Sequence, residues 1–259
     1  MSHGSAANAF NTKTAKPSST AKRFSLFALI AGIVATLTTT SAKATDTTLT
    51  ALKPYSIKYK VVHDGDDVGT AYRKLTELSN GQWQIAMSSD ISYYFLSDER
   101  KETSRFEVKG NQVLPLVYQR LAETSLRSDR NIVQNFDWDN MIEQGTYQDD
   151  KWTQALQPGY LDQLTQMLII REHLLTQKPI PAIDISYRGS IRHHEFKVLG
   201  QEVIQTGKGP VETAKVQLNE SKRDRQTNFW FSLEHNMLPM QVQRIKEGEE
   251  QAKLIAVDW

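Results

Sequence analysis

The sequence predicts a mainly β (α+β) fold: a strongly curved antiparallel sheet or half-barrel with one principal helix packed on its concave or open side. Three observations predict it. Short stretches of alternating apolar and polar residues recur from Tyr55 to Trp259, the period-two pattern of strands with one buried and one wet face. Turns rich in Gly and Asn separate them, which suits antiparallel neighbours. One long segment, Pro158 to Pro179, has helical periodicity instead. A lone amphipathic helix among strands must bury its apolar face against a sheet.

The first 44 residues are expected to be removed. Lys22 and Arg23 precede the 14-residue apolar run Phe24 to Leu37, and the triplet Ala42-Lys43-Ala44 follows. This is the layout of a secretory signal peptide cleaved after Ala44. A comfortable membrane span needs about 20 residues, so the product is expected to be no integral membrane protein. Cleavage removes five Lys/Arg and no Asp/Glu, turning the +1 of the 259-residue chain into −4. A mildly acidic surface argues against general nucleic-acid binding. The expected address is the periplasm of a Gram-negative bacterium. With no cysteine, the exported protein must rely on its core rather than disulfides. Residues 45–259 are read as a single β-rich domain, since no linker or fixed-period repeat interrupts them.

Thr45 to Leu52 reads as a loose lead-in. Tyr55, Ile57, Tyr59 and Val61 form one strand face, and Asp64-Gly65-Asp66-Asp67 turns the chain into a strand from about Val68 to Leu78. Asn80-Gly81 is a strong hairpin signal. In the third strand Trp83, Ile85, Met87, Ile91 and Tyr93 share a face, and Tyr94-Phe95-Leu96 reads as an apolar knot. Further strands are predicted near Thr103–Val108, Val113–Leu121, Asn131–Asp137 and Met141–Tyr147. Pro115 suits an edge, a bulge or a strand's first turn, because it donates no ladder hydrogen bond. After the helix come Ile183–Tyr187, Ile191–Leu199 with an interruption at Gly200, Val211–Leu218, Thr227–Ser232, Pro239–Glu247 and Ala252–Trp259. About twelve strands exceed what a flat sheet holds, so curling is expected.

The predicted helix places Leu161, Leu164, Met167, Leu168, Leu174 and Leu175 on one face, with Asp162, Gln163, Gln166, Glu172 and His173 away from its centre. Arg171 projects from near the middle of that stripe. Either its guanidinium reaches a carboxylate or carbonyl at the sheet rim, or it faces a cavity and meets an anionic head group.

An ordered series of short motifs carries a family resemblance. It runs from Tyr55 and Tyr59 through Leu114-Pro115-Leu116-Val117-Tyr118-Gln119-Arg120, Tyr160-Leu161-Asp162 and Phe196-Lys197-Val198-Leu199-Gly200, to Gly209, Thr213, Phe229-Trp230-Phe231-Ser232 and Leu238-Pro239. The chain resembles the DUF3108 family of exported bacterial proteins, for which the resemblance implies a periplasmic protein without an established activity. The strand-heavy pattern is also similar in architecture to the half-barrels that carry lipids or lipoproteins through the envelope.

Signals for catalysis are weak. His193 and His194 point to opposite strand faces and cannot jointly hold one metal; they are read as part of a solvated strand. The Asp64–Asp67 turn lacks the calcium-loop pattern, and Gly207-Lys208-Gly209 lacks phosphate-loop spacing. GxSxG, HExxH and CxxC do not occur. No cofactor, no metal and no catalytic residue is expected. Candidate ligand- or partner-contacting residues are Leu164, Met167, Leu168 and Arg171 on the helix, Tyr118 and Arg120 sharing a strand face, and Trp230. The leading expectation is non-enzymatic binding of a hydrophobic envelope component, a lipid or lipoprotein-like molecule. A structural or adaptor protein, binding by a sheet edge or by Tyr93 to Leu96, and an unrecognised hydrolase are the alternatives.

Overall fold

Alternating sequence becomes strand along almost all of the ordered fold. The computed structural model describes residues 49–220 and 224–259; the expected signal peptide and its cleavage site at Ala44 lie outside them. In chain order the elements are β1 (Tyr55–His63), β2 (Asp66–Glu77), β3 (Trp83–Tyr93), β4 (Leu96–Lys109), β5 (Gln112–Thr124), β6 (Arg127–Asp137), β7 (Ile142–Tyr147) and β8 (Asp150–Ala155). Then come α1 (Gln166–Leu175), β9 (Ile183–Tyr187), β10 (Ser190–His194), β11 (Phe196–Thr206), β12 (Gly209–Glu220), β13 (Arg225–Ser232), β14 (Pro239–Lys246) and β15 (Glu249–Asp258). Thirteen strands form one antiparallel sheet in the order β11-β12-β13-β14-β15-β1-β2-β3-β4-β5-β6-β7-β8, and β9 pairs with β10 apart from it.

A sheet this wide must curl, and its bulges say how. Seven of its strand pairs carry a register shift, among them Val61/Val62, Arg105/Phe106 opposite Pro115, and Val198/Gly200. Each bulge bends its strand and increases local twist. Gly69 sits against the Val61/Val62 shift with φ +156°, and a Cβ there would lie 2.1 Å from the Asp90 carbonyl oxygen, so only glycine lets β2 and β3 approach. The curl is visible in what touches. Val216 and Phe231, from β12 and β13, share one core cluster with Ile85, Tyr118 and Phe136 from β3, β5 and β6. The Gly207 N–H, in the turn after β11, donates to the Ala256 carbonyl of β15 at 2.8 Å although three strands separate the two in the sheet.

Helix α1 and the β9–β10 hairpin fill the concave side. Met167, Leu168 and Ile170 of α1 are buried with Ile183 and Ile185 of β9. Each such side chain contributes about 1.5–3 kcal/mol on burial. That packing matters because a ten-residue helix is marginal by itself. Gln177, at φ +53°, and the Thr176 hydroxyl bonded to the Glu172 carbonyl (2.7 Å) close the helix before Pro179.

Several sequence expectations need correction. The helix is half the predicted Pro158–Pro179 span, because Leu161 is extended: its N–H donates to Asp184 O (3.0 Å), and Ser186 N–H donates to its carbonyl (2.8 Å). Asp162, placed away from the centre of the predicted apolar face, is fully buried. The predicted strand Ile191–Leu199 breaks at Glu195 and is shared between two sheets. Strand β8 was not anticipated, and the lead-in is not loose: Leu49, Ala51 and Leu52 are buried, and Ala51 N–H donates to Glu172 Oε2 (2.8 Å). Tyr94-Phe95 is an exposed hairpin tip instead of an apolar knot, each ring 87% accessible.

Candidate functional site

Cross-strand register decides which side chains look inward, since ladder partners share a face. One row runs Val216, Phe229, Val242, Leu254 and Val61 from β12 to β1, then through Gly69 to Ile91. Nothing in it is polar. Beside it on one arm of the sheet, Ser89, Arg100, Ala122 and Arg130 form a row, followed by Arg73, Met87, Glu102, Arg120 and Ile132. On the other arm, Leu218, Thr227, Arg244 and Ala252 align, and Glu220 stands opposite Arg225. The arms enclose a solvent-open cavity of about 860 Å³. Gln163, Leu164, Gln166 and Met167 at the head of α1 bound it, together with Tyr187, Arg188, Arg192 and His194 of the hairpin.

Eight arginines and two glutamates line this cavity. Some of the cations are engaged. Arg100 forks onto Asp98 at 2.7 and 2.5 Å. Arg120 Nε lies 3.3 Å from Glu102, which also accepts from the Tyr118 hydroxyl (3.0 Å), and Arg120 Nη1 donates to the Tyr187 hydroxyl (3.0 Å). Burial opposes the Arg120 charge, but Glu102 and the two phenols carry its pKa upward. Arg188 lies over the Tyr147 ring and Arg192 over the Tyr187 ring, at 3.4 and 3.9 Å. Others are not compensated. Buried Arg73 donates to Met87 Sδ (3.3 Å), while its Nη1 and the Nε of Arg130 have no hydrogen-bond partner. Arg225, opposite Glu220 in the ladder, and Arg244 line the same cavity. Arg244 is enclosed by protein yet open to the cavity's solvent. Burial, and then the positive charges of Arg100 and Arg225, lower its pKa. The repulsion reaches from β14 to β4, so the two arms present cations to each other.

Asp162 fixes the head of α1 at this cavity. Its Oδ1 accepts from the N–H groups of Leu164 (2.8 Å) and Thr165 (2.9 Å), and its Oδ2 accepts from the buried Ser104 hydroxyl of β4. Burial raises its pKa, against the pull of these hydrogen bonds. A carboxyl whose folded pKa lies above its unfolded value of about 3.9 contributes stability fully below that value and loses it as pH rises through the folded pKa. Asp162→Asn keeps the Oδ1 acceptor and is expected to unfold at or above the wild-type temperature at pH 7, the advantage shrinking toward pH 4. Asp162→Ala is expected to cost about 2 kcal/mol at pH 7, as a lost cap does, and more toward pH 4. Thermal unfolding of the three proteins checks this; an Asn variant that gains on wild type as pH falls contradicts it.

Of the residues singled out from sequence, the structure brings Leu164, Met167 and Arg120 to the cavity and leaves four outside its lining. Leu168 packs in the core. Tyr118 lies beneath Arg120, hydrogen-bonded to Glu102. Trp230 sits on the opposite strand face, donating to Glu202 with Lys215 over its ring, and its neighbour Phe229 lines the cavity instead. Arg171 is a structural residue: Nε donates to Met237 O (3.1 Å) and Nη2 to Asn236 O (3.0 Å), with Tyr55 stacked at 4.8 Å. His193 is exposed and bonded to Asp184 (2.7 Å), whereas His194, expected on a solvated strand, is buried and meets Gln166 (2.9 Å). Among the described residues no group of three His, Cys, Asp or Glu is placed to hold a metal, and no helix is long and apolar enough to cross a membrane.

Fold and cavity together define a class: an open, strongly curved antiparallel sheet wrapped on one helix and a hairpin, with a cavity apolar along one row and cationic beside it. Within that class, the family model described as "Protein of unknown function (DUF3108)" matches residues 54–254, and the chain belongs to this family. The fold is similar to the crystal structure of a beta-barrel-like protein of domain of unknown function DUF1849 from Brucella abortus. The TM-score is 0.54 at 8% sequence identity, covering 80% of this chain and 97% of that one. Comparison with curated proteins found no match.

Proposed function

We propose that the protein is a non-enzymatic periplasmic binding protein that carries a hydrophobic envelope component, a lipid or lipoprotein-like molecule, in the cavity between α1 and the concave sheet. The observation that carries this reading is the unbroken apolar row from Val216 to Val61 along a cavity of about 860 Å³. Ligand sites occupy roughly 300–1,000 Å³, and this one sets an apolar row within a largely polar lining. The export reading adds that such a ligand is met outside the cytoplasm, where the layout of residues 22–44 sends the chain.

Native mass spectrometry of protein purified from the periplasm tests it. The expected result is an organic adduct, and uptake of the apolar dye N-phenyl-1-naphthylamine once the adduct is extracted. Val242→Trp, which puts an indole into the middle of the row, should abolish both while leaving the unfolding temperature near that of the wild type. Wild-type protein that carries no adduct and takes up no dye sinks the reading. An adaptor role has one observation in its favour, the exposed Tyr94, Phe95 and Leu126 on two neighbouring hairpin tips. It predicts a specific protein crosslinked through those tips in intact cells.

A further inference from the structure

Burying a cation without an anion is costly, because a charged group taken from water needs a partner. In this cavity Arg73 and Arg130 each keep a buried guanidinium nitrogen without a hydrogen-bond partner among the described residues, and Arg225 and Arg244 line the same space. They come from four different strands, β2, β6, β13 and β14, and converge on one space. A solvated surface patch does not explain them: Arg73 is buried with an unpartnered Nη1, and Arg130 has a buried, unpartnered Nε. Their planar forks suit the oxygens of phosphate, which accept paired N–H donors. The apolar row lies close to them, one register step from Arg244 and two from Arg73.

We propose that the bound molecule is a phosphate-bearing amphiphile: Arg225 and Arg244 from one arm and Arg73 and Arg130 from the other hold its anionic head, and the row through Phe229, Leu254 and Val61 takes its chain. The inference rests on the cavity being the ligand site, as read above, and adds the chemistry of the head. A cationic cavity with low-dielectric walls also concentrates anions at its mouth, so association slows as salt rises.

Calorimetric titration of the adduct-free protein separates the possibilities. The probes are dodecyl phosphate, dodecyl maltoside with the same tail and a neutral head, and inorganic pyrophosphate with no tail. Dodecyl phosphate is expected to bind at least about 100-fold more tightly than either. In Arg225→Gln/Arg244→Gln that affinity is expected to fall by about 100-fold, a modest loss for two charge-assisted contacts. Uptake of the neutral naphthylamine dye should be unchanged. The double variant should also unfold near the wild-type temperature, because the repulsion between Arg244 and Arg225 that it relieves offsets the attraction of Glu220 that it removes; that result separates loss of binding from loss of structure. Equal binding of dodecyl phosphate and dodecyl maltoside, or a double variant that binds dodecyl phosphate as the wild type does, overturns the head-group assignment and leaves the hydrophobic carrier standing. Pyrophosphate binding as tightly as dodecyl phosphate makes the natural ligand a free phosphate compound and overturns the amphiphile. Failure of every probe, dye included, removes both readings.

Discussion

Glu143→Gln is expected to lower the unfolding free energy by about 2–4 kcal/mol, the effect of losing hydrogen bonds to a charged acceptor and leaving buried donors without partners. At about 2–4 °C per kcal/mol for a fold of this size, the unfolding temperature should drop by roughly 10 °C. Glu143 is fully buried on β7. Four donors converge on it: Gln134 Nε2, Trp152 Nε1 and Gln154 Nε2, each at 2.9 Å, and the Ser186 hydroxyl. They come from β6, β8 and β9, so one carboxylate ties three sheet strands to the hairpin that walls the cavity. A Gln there turns one acceptor oxygen into an NH₂ that faces donors, leaving buried N–H groups without partners. Gly145 belongs to the same device. The Trp152 ring lies so close over it that a Cβ would fall 2.1 Å from ring carbon Cζ2, and only that closeness brings the indole N–H to Glu143. Calorimetric unfolding decides the matter; a Gln variant within 1 kcal/mol of wild type would mean that the network is not what holds the hairpin down.

The second large effect is at Arg171. Arg171→Met is expected to cost about 3 kcal/mol, because two hydrogen bonds from a charged donor disappear and two carbonyls beneath the helix lose their partner. Those carbonyls belong to Asn236 and Met237, both in left-handed conformation, with φ +49° and +51°. Residues other than glycine persist there only when their surroundings insist, and the guanidinium fork supplies that insistence. Arg171→Lys should recover only part of the loss, since one ammonium cannot reproduce a planar fork. Dye uptake per folded molecule should be unchanged in both variants. If Arg171→Met keeps its stability and loses the ligand, Arg171 is a head-group contact rather than a clamp on the Asn236 and Met237 carbonyls.

Much of the architecture was legible in the chain because strand faces repeat every second residue and the turns are marked by Gly and Asn. Pro115 falls at a bulge, one of the places its missing N–H permits. The helix was overestimated because Leu161 and Leu164 keep helical spacing while Leu161 spends its backbone groups on Asp184 and Ser186, a pairing across more than twenty residues that periodicity does not reveal. The cavity was largely hidden for a related reason. Arg73, Arg225 and Arg244 share strand faces with Ala71 and Leu75, Phe229 and Val242, so alternation shows them as stray charges on apolar faces, and only the curl of the sheet brings those faces around one space. Arg120 was singled out for sharing a face with Tyr118, but nothing in one strand says that Arg244 looks back at it from the other side. Trp230 and Phe229 were separable only by knowing which face of β13 is concave.

The sheet begins at β11 and ends at β8, and no ladder joins those two strands. A closed barrel must break backbone hydrogen bonds to admit a guest wider than its bore. In a carrier, the unladdered edges of β11 and β8 would let the interior admit cargo of differing girth with no strand pair broken between them.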